Sequence, residues 1–101
     1  MFYVYILYSK AADKFYVGQT SDVARRLLEH NTPIVNSKFT AKYIPWYLML
    51  YFPINHDRRD TIKVEKFIKS QKSRKFIHYL ISEKDNYEFF HTLIKNILNI
   101  G

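Results

Sequence analysis

Hydrophobic and polar positions alternate or recur along this chain in a way that fixes most of its elements. Residues 2–8 are apolar or aromatic throughout: Tyr3, Tyr5 and Leu7 fall on one face, and Phe2, Val4, Ile6 and Tyr8 on the other. A strand that is apolar on both faces belongs at the centre of a sheet. After a short polar stretch, Phe15-Tyr16-Val17 predicts a second strand, with a hairpin as the simplest connection. That hairpin places Tyr5 and Tyr16 on neighbouring strands facing the same region. Gly18 interrupts the strand pattern, as glycine does where something comes close to the backbone.

Ser21 and Asp22 are both good N-caps, and Val23, Ala24, Leu27 and Leu28 form an apolar stripe behind them. The helix they predict ends near Asn31-Thr32-Pro33. Residues 34–46 read as a loop, and residues 47–52 as a third strand, apolar throughout and ended by Pro53. A helix follows over residues 58–70, with Val64, Phe67, Ile68 and Gln71 facing one way and Arg59, Lys63, Lys66 and Lys69 the other. Ser73 caps a short helix running to Ile81. Tyr87, Phe90, Ile94 and Ile97 recur at helical spacing and predict a final amphipathic helix within 83–99.

Composition narrows the class. The chain has 101 residues, the size of one domain, and is 48% hydrophobic and 18% aromatic, so a core forms and disorder is disfavoured. It has no cysteine, which excludes a disulfide framework, a thiolate metal site and a cysteine nucleophile. The longest apolar run, residues 43–52, is broken by Pro45 and falls far short of the ~20 residues of a membrane helix. No signal peptide is visible, and a cytoplasmic protein is expected. Sixteen Lys and Arg against nine Asp and Glu give a formal charge of +7. That charge points to a polyanion such as nucleic acid, or to an acidic surface. Between Arg58 and Lys75 only Asp60 and Glu65 oppose the basic residues.

The candidate chemistry lies at the second strand and the helix after it. Arg26 and His30 are four residues apart and stack on one flank of the helix. With Tyr16 and the bare backbone at Gly18 they suit a phosphate, which helix N-termini and arginine both favour. Each residue also has a plainer reading. Strands favour tyrosine. Arg26 pairs with Asp22 and Glu65 with Lys69 at helical spacing, His30 serves as a helix C-terminal cation, and the basic face of the second helix is simply solvated.

The ordered motifs resemble the GIY-YIG nuclease superfamily. Tyr3-Val4-Tyr5 is similar to its first motif and Tyr16-Val17-Gly18 to its second, at the family's usual separation. Tyr3 stands where the first motif has glycine, and Val17 where the second has isoleucine. Arg26 falls at the helical arginine, and His30-Asn31 resembles the pair closing that helix. Ser37-Lys38-Phe39-Thr40 with Pro45-Trp46 resembles the loop before the third strand, and Val64-Glu65-Lys66 the stretch around a metal-binding glutamate. Ser73-Arg74-Lys75 and Leu80-Ile81 fit the small single-domain bacterial branch related to the nuclease domain of the excision-repair endonuclease.

The resemblance implies an α+β fold with a central three-stranded antiparallel sheet flanked by helices. It implies a nuclease domain over residues 1–81, with 82–101 as a helical extension packed on it. The implied activity is Mg²⁺- or Mn²⁺-dependent DNA endonuclease cleavage, structure- or damage-selective and of the repair type. Tyr5 then activates the attacking water or positions the group that does, Tyr16 holds the scissile phosphate, and Arg26 neutralises transition-state charge. Glu65 binds the metal and His30 assists proton transfer. Duplex or branched DNA meets Gly18, Lys38, Thr40, Lys42, Arg59, Lys63, Lys66 and Lys69. A catalytically inactive DNA-binding module of the same fold is the alternative. The chain is expected either to stay monomeric or to dimerise through the last helix, without a membrane partner.

Overall fold

The computed structural model describes residues 1–33 and 43–99. Among them the chain forms β1 (Tyr3–Ser9), β2 (Lys14–Thr20), α1 (Val23–His30), β3 (Trp46–Pro53), α2 (Arg58–Ser70), α3 (Arg74–Ser82) and α4 (Tyr87–Asn99). The sheet is antiparallel with order β2-β1-β3, so the strand that is apolar on both faces lies in the middle. Val4, Tyr5, Ile6 and Leu7 are all buried, which requires cover on each side. A register shift against β3 between Ile6 and Leu7 bends the pair locally.

The two faces are covered differently. Val4, Ile6, Val17, Leu50 and Phe52 pack under Val64 and Ile68 of α2, Ile77 and Leu80 of α3, and Phe90 and Ile97 of α4. Each such side chain contributes ~1.5–3 kcal/mol when fully buried. Phe52 and Phe90 stack with ring centroids 4.5 Å apart, which fastens α4 to the sheet. On the opposite face, Tyr5, Leu7 and Trp46 pack beneath α1 with Tyr16, Val23, Leu27 and Leu48.

The helix starts follow local chemistry. Asp22, rather than Ser21, caps α1 by accepting from the Arg25 amide at 3.1 Å. Asp57 accepts from the Arg59 amide, Ser73 from the Phe76 amide and Asn86 from the Phe89 amide. Gln71, expected on the buried side of α2, is instead its exposed C-cap, because the helix stops one residue earlier. Lys72 then turns the chain into α3 with φ +48°. Glycine is the favoured residue in that left-handed conformation, and a residue with a side chain gives up ~1 kcal/mol there.

Candidate active site

The β1–β2 register pairs Tyr5 with Gly18 and Leu7 with Tyr16, so the two tyrosines lie diagonally on the α1 face. Their ring centroids are 6.3 Å apart. Tyr5 leans across β2 and covers Gly18. A β-carbon on residue 18 would run into the Tyr5 ring, so what approaches this backbone closely is the protein's own phenol. Gly18 itself is buried.

From α1, His30 comes down onto the same spot. Its Nε2 and the Tyr5 hydroxyl hydrogen-bond at 2.9 Å, and its ring lies 4.7 Å from that of Tyr16. His30 is 1% exposed, and burial, reinforced by the Arg26 charge, pushes it down to about 4. The reading of His30 as a helix C-terminal cation is therefore overturned: it is a neutral, buried imidazole. Burial pushes the Tyr5 phenol well above its usual range, and the Tyr16 phenol adds to that. The Arg26 guanidinium works in the opposite direction, and the Glu65 carboxylate adds a smaller upward push.

Arg26 pairs with Glu29 at 2.8 Å, not with Asp22. Glu29 also takes Arg25 at 3.2 Å, so one carboxylate holds both arginines. Arg26 and His30 belong to the second and last turns of α1. The site is thus displaced from the helix N-terminus where a phosphate was expected, and the Asp22 carboxylate already caps that end.

Glu65 approaches from the other layer. Helix α2 packs on the opposite face of the sheet, but β2 is an edge strand, and Glu65 and Lys69 lie on the flank of α2 that borders it. Lys69 Nζ is 2.6 Å from Glu65 Oε2 and 5.8 Å from the centroid of the Tyr16 ring. The structure thus brings together Tyr5, Tyr16, Arg26, His30, Glu65 and Lys69. It does not bring Arg59, Lys63 and Lys66 to them. Those three are exposed on the far side of α2 from its buried Val64–Ile68 stripe, and Arg59 lies 3.5 Å from Asp57. Lys38, Thr40 and Lys42 lie outside the described residues.

Two supporting residues had no role assigned from sequence. The Asn31 amide donates to the Trp46 carbonyl at 3.0 Å and accepts from the Trp46 amide at 2.7 Å. It clamps the end of α1, and hence His30, to the start of β3. Nothing in the spacing of Asn31 and Trp46 signals this contact. The role of Glu29 was legible from its i, i+3 relation to Arg26.

Among the described residues no group of three or more His, Cys, Asp or Glu side chains converges as a metal cage. A site with a single carboxylate still fits a hard divalent ion, which takes one protein oxygen and fills its shell with water and phosphate oxygens. Glu65, with a side chain 16% exposed and already holding one cation, is a carboxylate of that kind.

An α+β domain with paired tyrosines on a hairpin, an arginine on the following helix and a glutamate on the next has the layout of a small nuclease. Residues 1–79 match the GIY-YIG catalytic domain, and the chain belongs to that family. Neither curated proteins nor solved structures yield a match to it. Family membership makes a nuclease-type function and a nucleic-acid substrate the general expectation, and GIY-YIG nucleases generally use a divalent metal. No helix among the described residues is long and apolar enough to cross a membrane.

Proposed function

We propose that the chain is a divalent-metal-dependent DNA endonuclease. It would be selective for DNA structure or damage rather than for a long sequence, and related to the small bacterial repair-type branch of its family. The observation that carries the reading is the cluster of Tyr5, Tyr16, His30 and Arg26, bound at its centre by the 2.9 Å Tyr5–His30 contact. Tyr16 and Arg26, both partly exposed, hold the scissile phosphate, the guanidinium through paired N–H donors. Tyr5 is 1% exposed, so of its two roles it takes the indirect one. It passes a proton from the attacking water to His30 while remaining a phenol itself. An arriving phosphate raises the basicity of His30, because negative charge favours the imidazolium. Glu65 holds Mg²⁺ or Mn²⁺, which supplies a polarised water and positive charge at the phosphate. The exposed Arg59, Lys63 and Lys66 serve at most as outer contacts to the duplex backbone.

A catalytically quiet DNA-binding module is the second reading, favoured by the burial of Tyr5 and the occupation of Glu65 by Lys69. Labelled single-stranded, nicked, branched and duplex DNA, with matching RNA, incubated with and without Mg²⁺ or Mn²⁺, separates the two. Metal-dependent cutting that disappears in Arg26→Ala and Glu65→Gln supports the first. Salt-sensitive binding without cutting supports the second. Equal cutting by wild type and both variants would leave the assigned chemistry without a basis.

A further inference from the structure

The two non-glycine residues held at positive φ in the described chain, Asp13 at 52° and Lys72 at 48°, line the same groove. It has a volume of about 640 Å³ and follows the outer edge of β2. Lys69 lies over Tyr16 at one end, Arg74 bonds Asp13 beside Lys14 at the other, and Lys72 lies on the turn between α2 and α3. Four cations line the groove, of which Lys69 is paired with Glu65 and Arg74 with Asp13.

Asp13 accounts for its own conformation, since aspartate tolerates the left-handed region. There its carboxylate accepts from the Tyr8 hydroxyl at 2.7 Å and from Arg74 at 2.8 Å, and its carbonyl accepts from Arg74 at 2.8 Å. The guanidinium is fixed in place before any ligand arrives. Lys72 has no such local reason. Its amide donates to the Lys69 carbonyl at 3.2 Å, as glycine would at this helix end, and its side chain adds nothing to the turn. Nor does it have an ionic partner among the described residues. What lysine contributes over glycine is a positive charge at the mouth of a groove that begins at Tyr16. Strained residues of this kind collect at ligand sites.

We propose that this groove binds the phosphodiester backbone of the nucleic-acid strand at a phosphate other than the one cut. Lys72 makes the contact, and Arg74, held by Asp13, flanks it. The proposal rests on the reading of Tyr16 as the holder of the scissile phosphate. It adds a second anchor that continues the strand along the open edge of β2. A site of this kind lowers KM and leaves the chemical step alone.

The test is Lys72→Gly, which installs the residue the turn favours and so keeps the fold. The melting temperature is expected to stay level or rise. Affinity for a fluorescein-labelled nicked DNA duplex, read by anisotropy without added metal, is expected to fall roughly three- to tenfold. The slope of log Kd against log salt is expected to shrink by about one. Lys72→Glu, which keeps the backbone conformation and reverses the charge, is expected to weaken binding further. If wild-type protein binds this DNA and Lys72→Gly matches it in both Kd and salt slope, the groove is not a phosphate site, and the nuclease reading stands without it. If wild-type protein neither binds nor cuts any DNA, the nuclease reading itself fails and this proposal goes with it.

Discussion

The two faces of the sheet are built on opposite terms. Under α2, α3 and α4 the buried residues are aliphatic or phenylalanine, with Thr61 the buried polar exception, returned to the Asp57 carbonyl at 3.0 Å. Under the eight-residue α1 the buried residues include Tyr5, Leu7, Trp46 and His30, and the Tyr5 hydroxyl bonds the His30 ring. Three helices on one side secure the fold, and that leaves the thinly covered side free to hold groups chosen for chemistry. The division runs within single elements. Val64 and Glu65 are neighbours on α2, yet one is fully buried in the apolar layer and the other reaches round the β2 edge to Tyr16 through Lys69.

The sharpest break in that comparison lies furthest from the tyrosines. Phe90 belongs to α4, beyond the matched residues 1–79, and stacks on Phe52. Phe90→Ala is expected to cost ~3–5 kcal/mol in urea unfolding. DNA binding well below the lowered melting temperature should stay at the wild-type level. A loss under 1 kcal/mol would mean that α4 contributes little to the apolar face.

Substitutions of the polar groups gathered around Tyr16 should do the reverse. Arg26→Ala and Glu65→Gln each remove a group aimed at the proposed phosphate site. Cleavage is expected to fall ~10²–10³-fold, or ~2.7–4 kcal/mol. Their ion pairs are at helical spacing and partly exposed, so stability should change by under ~1 kcal/mol. Val64→Ala, one residue from Glu65, should lose stability and keep the cleavage rate of its folded fraction. Parallel kinetic and unfolding measurements on the three variants decide whether the division holds at single-residue resolution.

Acid should weaken the thin face selectively. Folded His30 stays neutral down to about pH 4. In the unfolded chain it takes up a proton below about pH 6.5. Across that window the unfolded state binds more protons, so stability falls as pH drops and the His30 contribution levels off below pH 4. The full extent is roughly 3 kcal/mol, and His30→Gln should flatten this part of the pH–stability curve. A variant that keeps the same slope would assign the acid sensitivity to other groups.

Periodicity and caps were enough to read the elements, because each strand and helix carries its own local signal: the unbroken apolar run at residues 2–8, Asp22 and Ser73 before apolar stripes, Pro53 after β3. The placement of Tyr5 and Tyr16 on neighbouring strands facing one region also followed from the hairpin, and the register adds that they lie diagonally. What stayed hidden depends on distances through space. The neutral state of His30 follows from burial beneath α1, which no spacing along α1 reveals. Glu29 and Asp22 both stand at helical spacing from Arg26, and the choice between them was settled by the use of the Asp22 carboxylate as a cap. The clamp between Asn31 and Trp46 spans fifteen residues, and the arrival of Glu65 from the opposite layer depends on β2 being an edge strand.

The smallest expected effect tests how the thin face is assembled. Gly18 is the one residue of β2 over which the Tyr5 ring must pass to meet His30. In Gly18→Ala the new methyl group meets the phenol ring, and since Tyr5 is fully packed the ring has nowhere to retreat without losing the His30 contact. Overpacking of this kind costs ~1–3 kcal/mol. In a Tyr5→Ala background the space over residue 18 is empty, so the same Gly18→Ala change should then be near neutral. The coupling in that double-mutant cycle isolates the contact from any intrinsic preference of the strand for alanine. Additive costs in the two backgrounds would show that Tyr5 does not need the glycine, and the close approach would then not be what positions the phenol.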